Sequence, residues 1–518
     1  MNAGLRHKIL KSLVLLCLPA AVAGCHTLPA LDGRSSSTAL ADTHATQLGR
    51  AIAPQAAAHP DRSGVYPLLD SRDAFAARVL LARAAERSLD VQYYIWRQDM
   101  SGTLLFEALH EAAERGVRVR LLLDDHNTSG LDETLAALDT HPNIEVRLFN
   151  PFATRGVRWI GYLTDFSRLN RRMHNKSFTA DSQATIIGGR NIGDEYFDAT
   201  KGVVFVDLDL LAVGTVVEEV SRDFDRYWAS ASSYPVDRLL PPADPALLAQ
   251  LASKASLIER DPAARTYMEA LRESPFVREL VEGTLPFEWA ATRMVSDDPA
   301  KGLGLNDDAS ILPSQLDRII GKPETSVELV SAYFVPTKSG TEQLTRLAGE
   351  GVKIQILTNA LEATDVAVVH AGYAKRRKPL LEAGITLYEL QRLSTNVKRD
   401  RRAVGSGSSG ASLHAKTFAV DRSRVFVGSF NFDPRSARLN TELGFVIESP
   451  ALAGRIEGAF EGGIPAEAYE VRLSETGNLY WIEHRDGRPL RHETEPGTGF
   501  WKRAWVWFVS LLPIEWLL

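Results

Sequence analysis

One five-residue constellation occurs twice in this chain, 240 residues apart. His174, Lys176, Asp181, Gly188 and Asn191 recur as His414, Lys416, Asp421, Gly428 and Asn431, with offsets of +2, +7, +14 and +17 from each histidine. With each residue type near one in twenty, such a match arises by chance on the order of once in a million starts. Phe205-Val206 and Phe445-Val446 keep the same interval. The flanks repeat as well. Ser88–Tyr94 and Ser326–Tyr333 both alternate like strands. Each is followed by Ser-Gly (Ser101-Gly102, Ser339-Gly340) and a helical stretch that closes on Gly-Val (Gly116-Val117, Gly351-Val352) before a new strand. Glycine there suits a helix C-cap, and strand–helix–strand at this spacing predicts a βαβ unit with a parallel pair. The expected fold class is α/β: an internal duplication of two sandwich halves, with mixed sheets flanked by helices and a shared site at their interface.

At 518 residues the chain is long enough for two or more domains. The expected division is a first half at 64–234, a mostly helical connector at 235–300, a second half at 301–465 and a C-terminal extension at 466–518. Residues 1–24 read as a targeting segment. Arg6, Lys8 and Lys11 precede a short apolar run, and Val22-Ala23-Gly24-Cys25 follows it. Small residues before a cysteine resemble a bacterial lipobox, which makes Cys25 the expected lipidation point. His26, rather than an acid, after that cysteine favours the outer membrane over the inner. The Ala-, Ser-, Thr- and Pro-rich stretch at 25–63 reads as a flexible tether. Cys17 and Cys25 are the only cysteines, so a disulfide framework and a cysteine zinc site are excluded. The formal charge is −6. Removing 1–24 leaves 56 basic against 65 acidic side chains, or −9, which counts against nucleic acid as a partner.

On an extended segment, positions i and i+2 share a face, so each His-x-Lys points imidazole and ammonium into one place. The asparagine after the next strand can add an amide N–H. Two such sets facing each other suit a phosphate held among donors, with one histidine as nucleophile and the other as general acid. The lysines neutralise phosphate oxygens, so no metal or other cofactor is called for. They would also repel a cation placed between the histidines. Asp181 and Asp421 fall at strand-to-strand turns and are expected to be structural, as are Gly188 and Gly428.

The doubled His-x-Lys-(x)4-Asp-(x)6-Gly-x-x-Asn pattern resembles the phospholipase D superfamily. Gly428-Ser429-Phe430-Asn431 has the usual Gly-Ser-x-Asn form, whereas Gly188-Gly189-Arg190-Asn191 has glycine in place of serine. Arg172–Lys176 and Gly188–Tyr196 resemble the bacterial cardiolipin synthase C branch. The resemblance implies a two-step displacement at phosphorus through a phosphohistidine. In it His174 is the nucleophile and His414 the leaving-group acid, with Lys176, Lys416, Asn191, Asn431 and Ser429 around the phosphate. It also implies a carboxylate behind each histidine. Glu442 fits for His414. The first half has Gly202 at the corresponding interval, so Asp207 is the candidate for His174, with Asp198 and Asp209 as competitors.

The expected function is therefore a membrane-associated phosphatidyltransferase that makes cardiolipin from phosphatidylglycerol, with phosphatidylethanolamine as a second candidate lipid. A phospholipase D hydrolase is the alternative, and a nuclease of the same superfamily a weaker one. The sequence leaves a partner protein open. Three basic clusters (Arg168/171/172, Lys375–Lys378 and Lys398–Arg402) are either a rim for anionic headgroups or solvated faces. The loop Gly405–Gly410 precedes the second motif. Four of the nine tryptophans fall in the last 18 residues. That segment is either docked on the core or an interfacial anchor.

Overall fold

The computed structural model describes residues 28–518, apart from 201, 245, 393–409 and 486. The lipobox cysteine, the 398–402 cluster and most of the Gly405–Gly410 loop lie outside the described residues.

The first half contains β1 (Ser63–Leu68), β2 (Ser88–Ile95), β3 (Arg118–Asn127), β4 (Ile144–Phe149), β5 (Ser177–Ala180), β6 (Ala184–Gly188), β7 (Val203–Val206), β8 (Asp209–Gly214) and β9 (Ser233–Pro235). The predicted βαβ unit forms: β2 and β3 are parallel, with Ser88 opposite Arg118, and β4 continues the parallel set. The helix between them, Met100–Glu114, is capped by Asp99, and Gly116 follows its end at φ +90°. Although β2 alternates polar and apolar residues, it is buried on both faces up to Tyr93. Its polar face is satisfied internally. Asp90 accepts from Arg120 on β3 at 2.7 and 2.8 Å, and the Arg120 guanidinium lies over Phe224 and Trp228 of the covering helix Thr215–Trp228. Leu89, Val91 and Tyr93 pack on the opposite side with Phe75, Leu105 and Leu109.

After β10 (Glu288–Ser296) the plan repeats as β11 (Ser326–Ser331), β12 (Lys353–Asn359), β13 (Thr386–Leu390), β14 (Gly410–Leu413), β15 (Lys416–Val420), β16 (Arg424–Gly428) and β17 (Leu443–Glu448). Again β11 and β12 are parallel, with Ser326 opposite Lys353. β10 is the hinge of the duplication: it pairs β1 through Ala290 and β17 from Ala291 onward, which joins the halves into one sheet. Ile187, Leu210 and Ala212 of the first half pack with Ala419, Val427 and Phe445 of the second, so a core runs between the two halves. A separate two-stranded sheet pairs β7 with β14 in parallel across the halves. Beyond β13 the C-terminal strands β18 (Ala468–Leu473), β19 (Leu479–Arg485) and β20 (Arg488–His492) extend the sheet.

Three expectations change. First, the stretch read as a tether is packed from residue 28 onward. Arg34 donates to the carbonyls of Ser230 and Ser233, and the carbonyls of Ser35 and Ser37 accept from the buried Arg147 and Arg120. Gln47–Ala58 is a helix capped by Thr46. The segment supplies backbone acceptors to buried arginines, a role its small-residue composition does not reveal. Second, Phe205-Val206 and Phe445-Val446 are not equivalents, because one pair lies in β7 and the other in β17. The strand of the first half that matches β17 is β8: Gly188 faces Asp209, as Gly428 faces Gly444. Third, Lys375–Lys378 is no headgroup rim. Lys375 and Arg376 pair with Glu515, Arg377 is buried against Glu389 and Glu495, and Lys378 reaches Glu382.

Candidate active site

His174 and His414 each stand one residue after an inter-half backbone contact. The His174 N–H donates to Thr441 O, and Thr441 N–H to Arg172 O, both at 2.9 Å. The His414 N–H donates to Val206 O at 2.8 Å, continuing the β7–β14 pairing. Each histidine is thereby laid beside the residue that precedes the other half's acid. The carboxylates cross accordingly. His174 Nδ1 is 2.8 Å from Glu442 Oε2, and His414 Nδ1 is 2.5 Å from Asp207 Oδ2. The sequence-based pairing, Glu442 with His414 and Asp207 with His174, is the reverse of what the structure holds. The two acids are themselves equivalents, each two residues before the residue that faces the motif glycine. Extra residues, including β7, break the 240 interval and leave Gly202 at the matching sequence position. Asp209 instead accepts from Arg78 and from the Arg190 N–H, and the Nδ1 atoms of both histidines are taken by Glu442 and Asp207 rather than by Asp198.

The structure accounts for the glycine in the first motif. A Cβ on Gly189 would fall 2.1 Å from Asp207 Oδ1, so a serine there would occupy the carboxylate's place. In the second half Ser429 fits and supports its acid, donating from Oγ to Glu442 Oε2 at 2.5 Å. Its position in the structure is behind a carboxylate, not free for the phosphate. Gly188 and Gly428 admit the close approach of β8 and β17, whose backbone a Cβ would strike. Arg190 is fully buried and donates to Asp207 O and Leu68 O, fixing the turn that carries Asp207.

Lys176 and Lys416 are buried and donate to the carbonyls of His174 and His414; Lys416 Nζ is also 3.0 Å from His414 Nδ1. Burial is the largest influence on every group here. It drives the His174 imidazole well below its ordinary value, helped by the charges of Lys176, Lys416 and His414. Lys176 is pulled down to about 7 by burial, which the Glu442 charge opposes. Burial pushes the Glu442 carboxyl up to about 7. Asp207 runs the other way: His414 and Lys416 overcome its burial and hold it below the usual carboxylate range. His414 is lowered by burial and Lys416, while Asp207 opposes that shift.

The asparagines differ. Asn191 Oδ1 accepts from Ile95 N–H and its Nδ2 donates to Tyr196 OH at 3.0 Å, so its amide holds the ring that meets His414 edge-on. Asn431 is buried, and its Oδ1 has no hydrogen-bond partner among the described residues. Asp181 accepts from the N–H groups of Glu86, Arg87 and Ser88, and Asp421 from those of Glu324, Thr325 and Ser326, tying the β5–β6 and β15–β16 turns to β2 and β11. Sequence reasoning missed the aromatic walls. Tyr94 meets His174 edge-on at 4.9 Å, and Tyr196 and Phe205 meet His414. It also missed Asp297, whose carboxylate accepts from Glu442 N–H and from the buried Lys301. Tyr94 and Phe205 read as ordinary strand residues, and no spacing marks Asp297. Among the described residues, no three His, Cys, Asp or Glu side chains are grouped to hold a metal.

The sequence pattern of the family described as "Cardiolipin synthase, PLD-like domain" matches residues 80–228 and 316–463, one copy per half. The chain belongs to the phospholipase D superfamily. Within it, the chain is 52% identical over 474 residues to "Cardiolipin synthase C" of Escherichia coli (strain K12), covering 91% of this chain and all of that protein. It is 32% identical to an uncharacterized protein of Helicobacter pylori (strain ATCC 700392 / 26695), over 95% of this chain and 96% of the other. The crystal structure of phosphatidylserine synthase from Haemophilus influenzae Rd KW20 superposes with a TM-score of 0.58 at 12% identity, covering 91% of this chain and all of that one, which supports the phospholipase D fold.

Proposed function

We propose that this phospholipase D superfamily member is a phosphatidyltransferase that makes cardiolipin. The observation that carries the reading is the crossed pair of His–carboxylate couples in one buried site, in a chain similar along its length to a cardiolipin synthase. The ionisation pattern supports distinct roles. His174 is neutral, with Nδ1–H directed at Glu442, which leaves the Nε2 lone pair for phosphorus. Burial and Lys416 lower His414, but the ionised Asp207 beside it opposes that shift and favours the imidazolium form that gives up a proton.

In the first step, His174 Nε2 bonds to the phosphorus of a phospholipid. The bond from phosphorus to the headgroup oxygen breaks, and His414 protonates that oxygen. In the second, His414 takes the proton from a phosphatidylglycerol hydroxyl. That oxygen bonds to phosphorus, and the phosphorus–nitrogen bond returns its electrons to His174. Lys176 and Lys416 supply positive charge beside the phosphoryl oxygens. Phosphatidylglycerol fits as donor and acceptor, with phosphatidylethanolamine as a second candidate donor. Cys25 is the proposed acylation point, holding the enzyme on the periplasmic side of a membrane, with His26 favouring the outer one.

The deciding experiment is mass spectrometry of products from purified protein given phosphatidylglycerol, with and without phosphatidylethanolamine. Cardiolipin is expected. Phosphatidic acid alone assigns a hydrolase, and DNA cleavage without lipid turnover would sink the lipid reading.

A further inference from the structure

Large apolar side chains are unevenly exposed on this molecule. Of nineteen that are exposed among the described residues, twelve fall in two segments, 157–166 and 500–516, and these hold all five exposed tryptophans. The helix Phe500–Ser510 is apolar apart from Lys502, Arg503 and Ser510. Val506 and Val509 are buried with Leu361 and Ala371, while Trp501, Trp505, Phe508 and Leu512 form an outward stripe, Trp501 82% exposed. On the helix Arg158–Thr164 and just after it, Trp159, Leu163 and Phe166 repeat that spacing, Leu163 75% exposed.

The chain just past each segment is tied to Arg435, four residues after the second motif. Its guanidinium donates to Asn170 O and Oδ1, four residues past one segment, and to Leu517 O, one residue past the other, and its N–H donates to Leu518 O. The inner side of the first segment reaches the site. Tyr162 OH is 2.7 Å from His126 Nδ1, the His126 ring lies parallel to Tyr94, and Tyr94 meets His174 edge-on. The charge is one-sided. Helix Phe500–Ser510 carries Lys502 and Arg503, which donate to the carbonyls of Leu361 and Thr498 and keep their charge, and no acid, while Asp165 pairs with Arg168, and Glu515 with Lys375 and Arg376.

We propose that these two patches form one docking face for a bilayer containing anionic lipid, and that it presents the site to lipid independently of any acyl anchor. Tryptophan is favoured at headgroup depth, and the excess of Lys502 and Arg503 over acids on the helix gives the face a positive charge that favours anionic headgroups. An eleven-residue helix is too short to span a bilayer and lies in its plane. The occupant rests on the lipid reading above.

The test uses full-length protein with Trp159→Ser, Leu163→Ser, Trp501→Ser and Trp505→Ser combined, none of which touches the histidines or lysines. Turnover is compared for long-chain phosphatidylglycerol in vesicles and for a short-chain form dispersed as monomers. Vesicle turnover should fall about tenfold or more, with monomer turnover within about twofold of the unaltered protein. Unchanged vesicle turnover overturns the proposal, as does an equal fall on both substrates. So does a concentration-dependent self-association that the substitutions abolish while vesicle turnover stays intact. If the unaltered protein turns over neither substrate, the lipid-transfer reading fails, and the face is judged separately. Vesicles of brominated phosphatidylglycerol should then quench tryptophan emission in the unaltered protein and less so in the variant; equal quenching rejects the face.

Discussion

His174 and Glu442 lie 268 residues apart in the chain, yet their side chains meet at 2.8 Å, Nδ1 to Oε2. The converse contact, His414 to Asp207, spans 207 residues. Each half thus supplies a histidine and the acid that orients the other half's histidine, so neither half contains a complete His–acid couple.

That crossing predicts which step each acid governs. Glu442→Gln should slow formation of the phosphohistidine, whereas Asp207→Asn should slow both that step, where His414 is the acid, and the transfer to the second lipid, where His414 is the base, each on the order of a hundredfold or more, as for orienting carboxylates elsewhere. Adding Glu442→Gln to His174→Ala should cost nothing further, because residues acting as a unit are not additive. The readouts are rapid-quench trapping of phosphorylated protein and steady-state turnover. Normal formation of the phosphohistidine in Glu442→Gln would overturn the assignment.

Gly189→Ser restores the family's usual serine to the first motif and is expected to harm it. The new Cβ would lie 2.1 Å from Asp207 Oδ1, so the carboxylate must leave its place beside His414. Overpacking of this kind costs about 1–3 kcal/mol. Activity should fall by more than the melting temperature implies, and a variant as active as the wild type would show that Asp207 has another place to go.

The pH profile of kcat/KM should be narrow and centred near neutrality. Glu442, pushed up to about 7, loses its charge below that value, and Lys176, pulled down to about 7, loses its own above it. The two interact, so the limbs belong to the pair. Glu442→Gln should abolish the acid limb and move the alkaline limb to lower pH, because the lysine loses its counter-charge. Asp207→Asn should leave the acid limb in place, since Asp207 is ionised throughout this range. An acid limb unmoved in Glu442→Gln would transfer it to another group.

The duplication, the parallel βαβ units and both His-x-Lys pairs were legible because they are carried by spacing along one strand or turn. His174 and Lys176 need only two residues of extended chain to share a site. The carboxylate pairing was illegible for the opposite reason. It depends on β7 reaching across to β14, and β7 belongs to an insertion that displaces the 240 interval after Asn191. Arg120 and Arg147 were similarly silent. Their buried charges take carbonyl partners at Ser37 and Ser35, and a backbone acceptor leaves no mark in residue type.

Catalytic burial also sets a stability cost that Glu442→Gln should relieve. In the folded chain the Glu442 carboxyl is raised from 4.5 to about 7, so the native state holds this proton more tightly than the unfolded chain does. Its contribution to stability is therefore present below pH 4.5, declines as pH rises to 7 and stays low above it. Glutamine carries no proton to lose and keeps an acceptor for His174 Nδ1–H. Against wild type, Glu442→Gln should melt close to the same temperature at pH 5 and a few degrees higher at pH 8, even as transfer activity collapses. Lys176 contributes the opposite slope above neutrality; without its Glu442 counter-charge it titrates lower in the variant, but at pH 8 it is largely deprotonated in both proteins and at pH 5 Glu442 is itself protonated in the wild type, so it does not reverse the difference. Thermal unfolding of the pair at both pH values is the measurement. A difference that is larger at pH 5 than at pH 8 would mean that Glu442 is already ionised at the lower pH, and that its hydrogen bonds from Ser429 and His174, rather than its burial, set its charge.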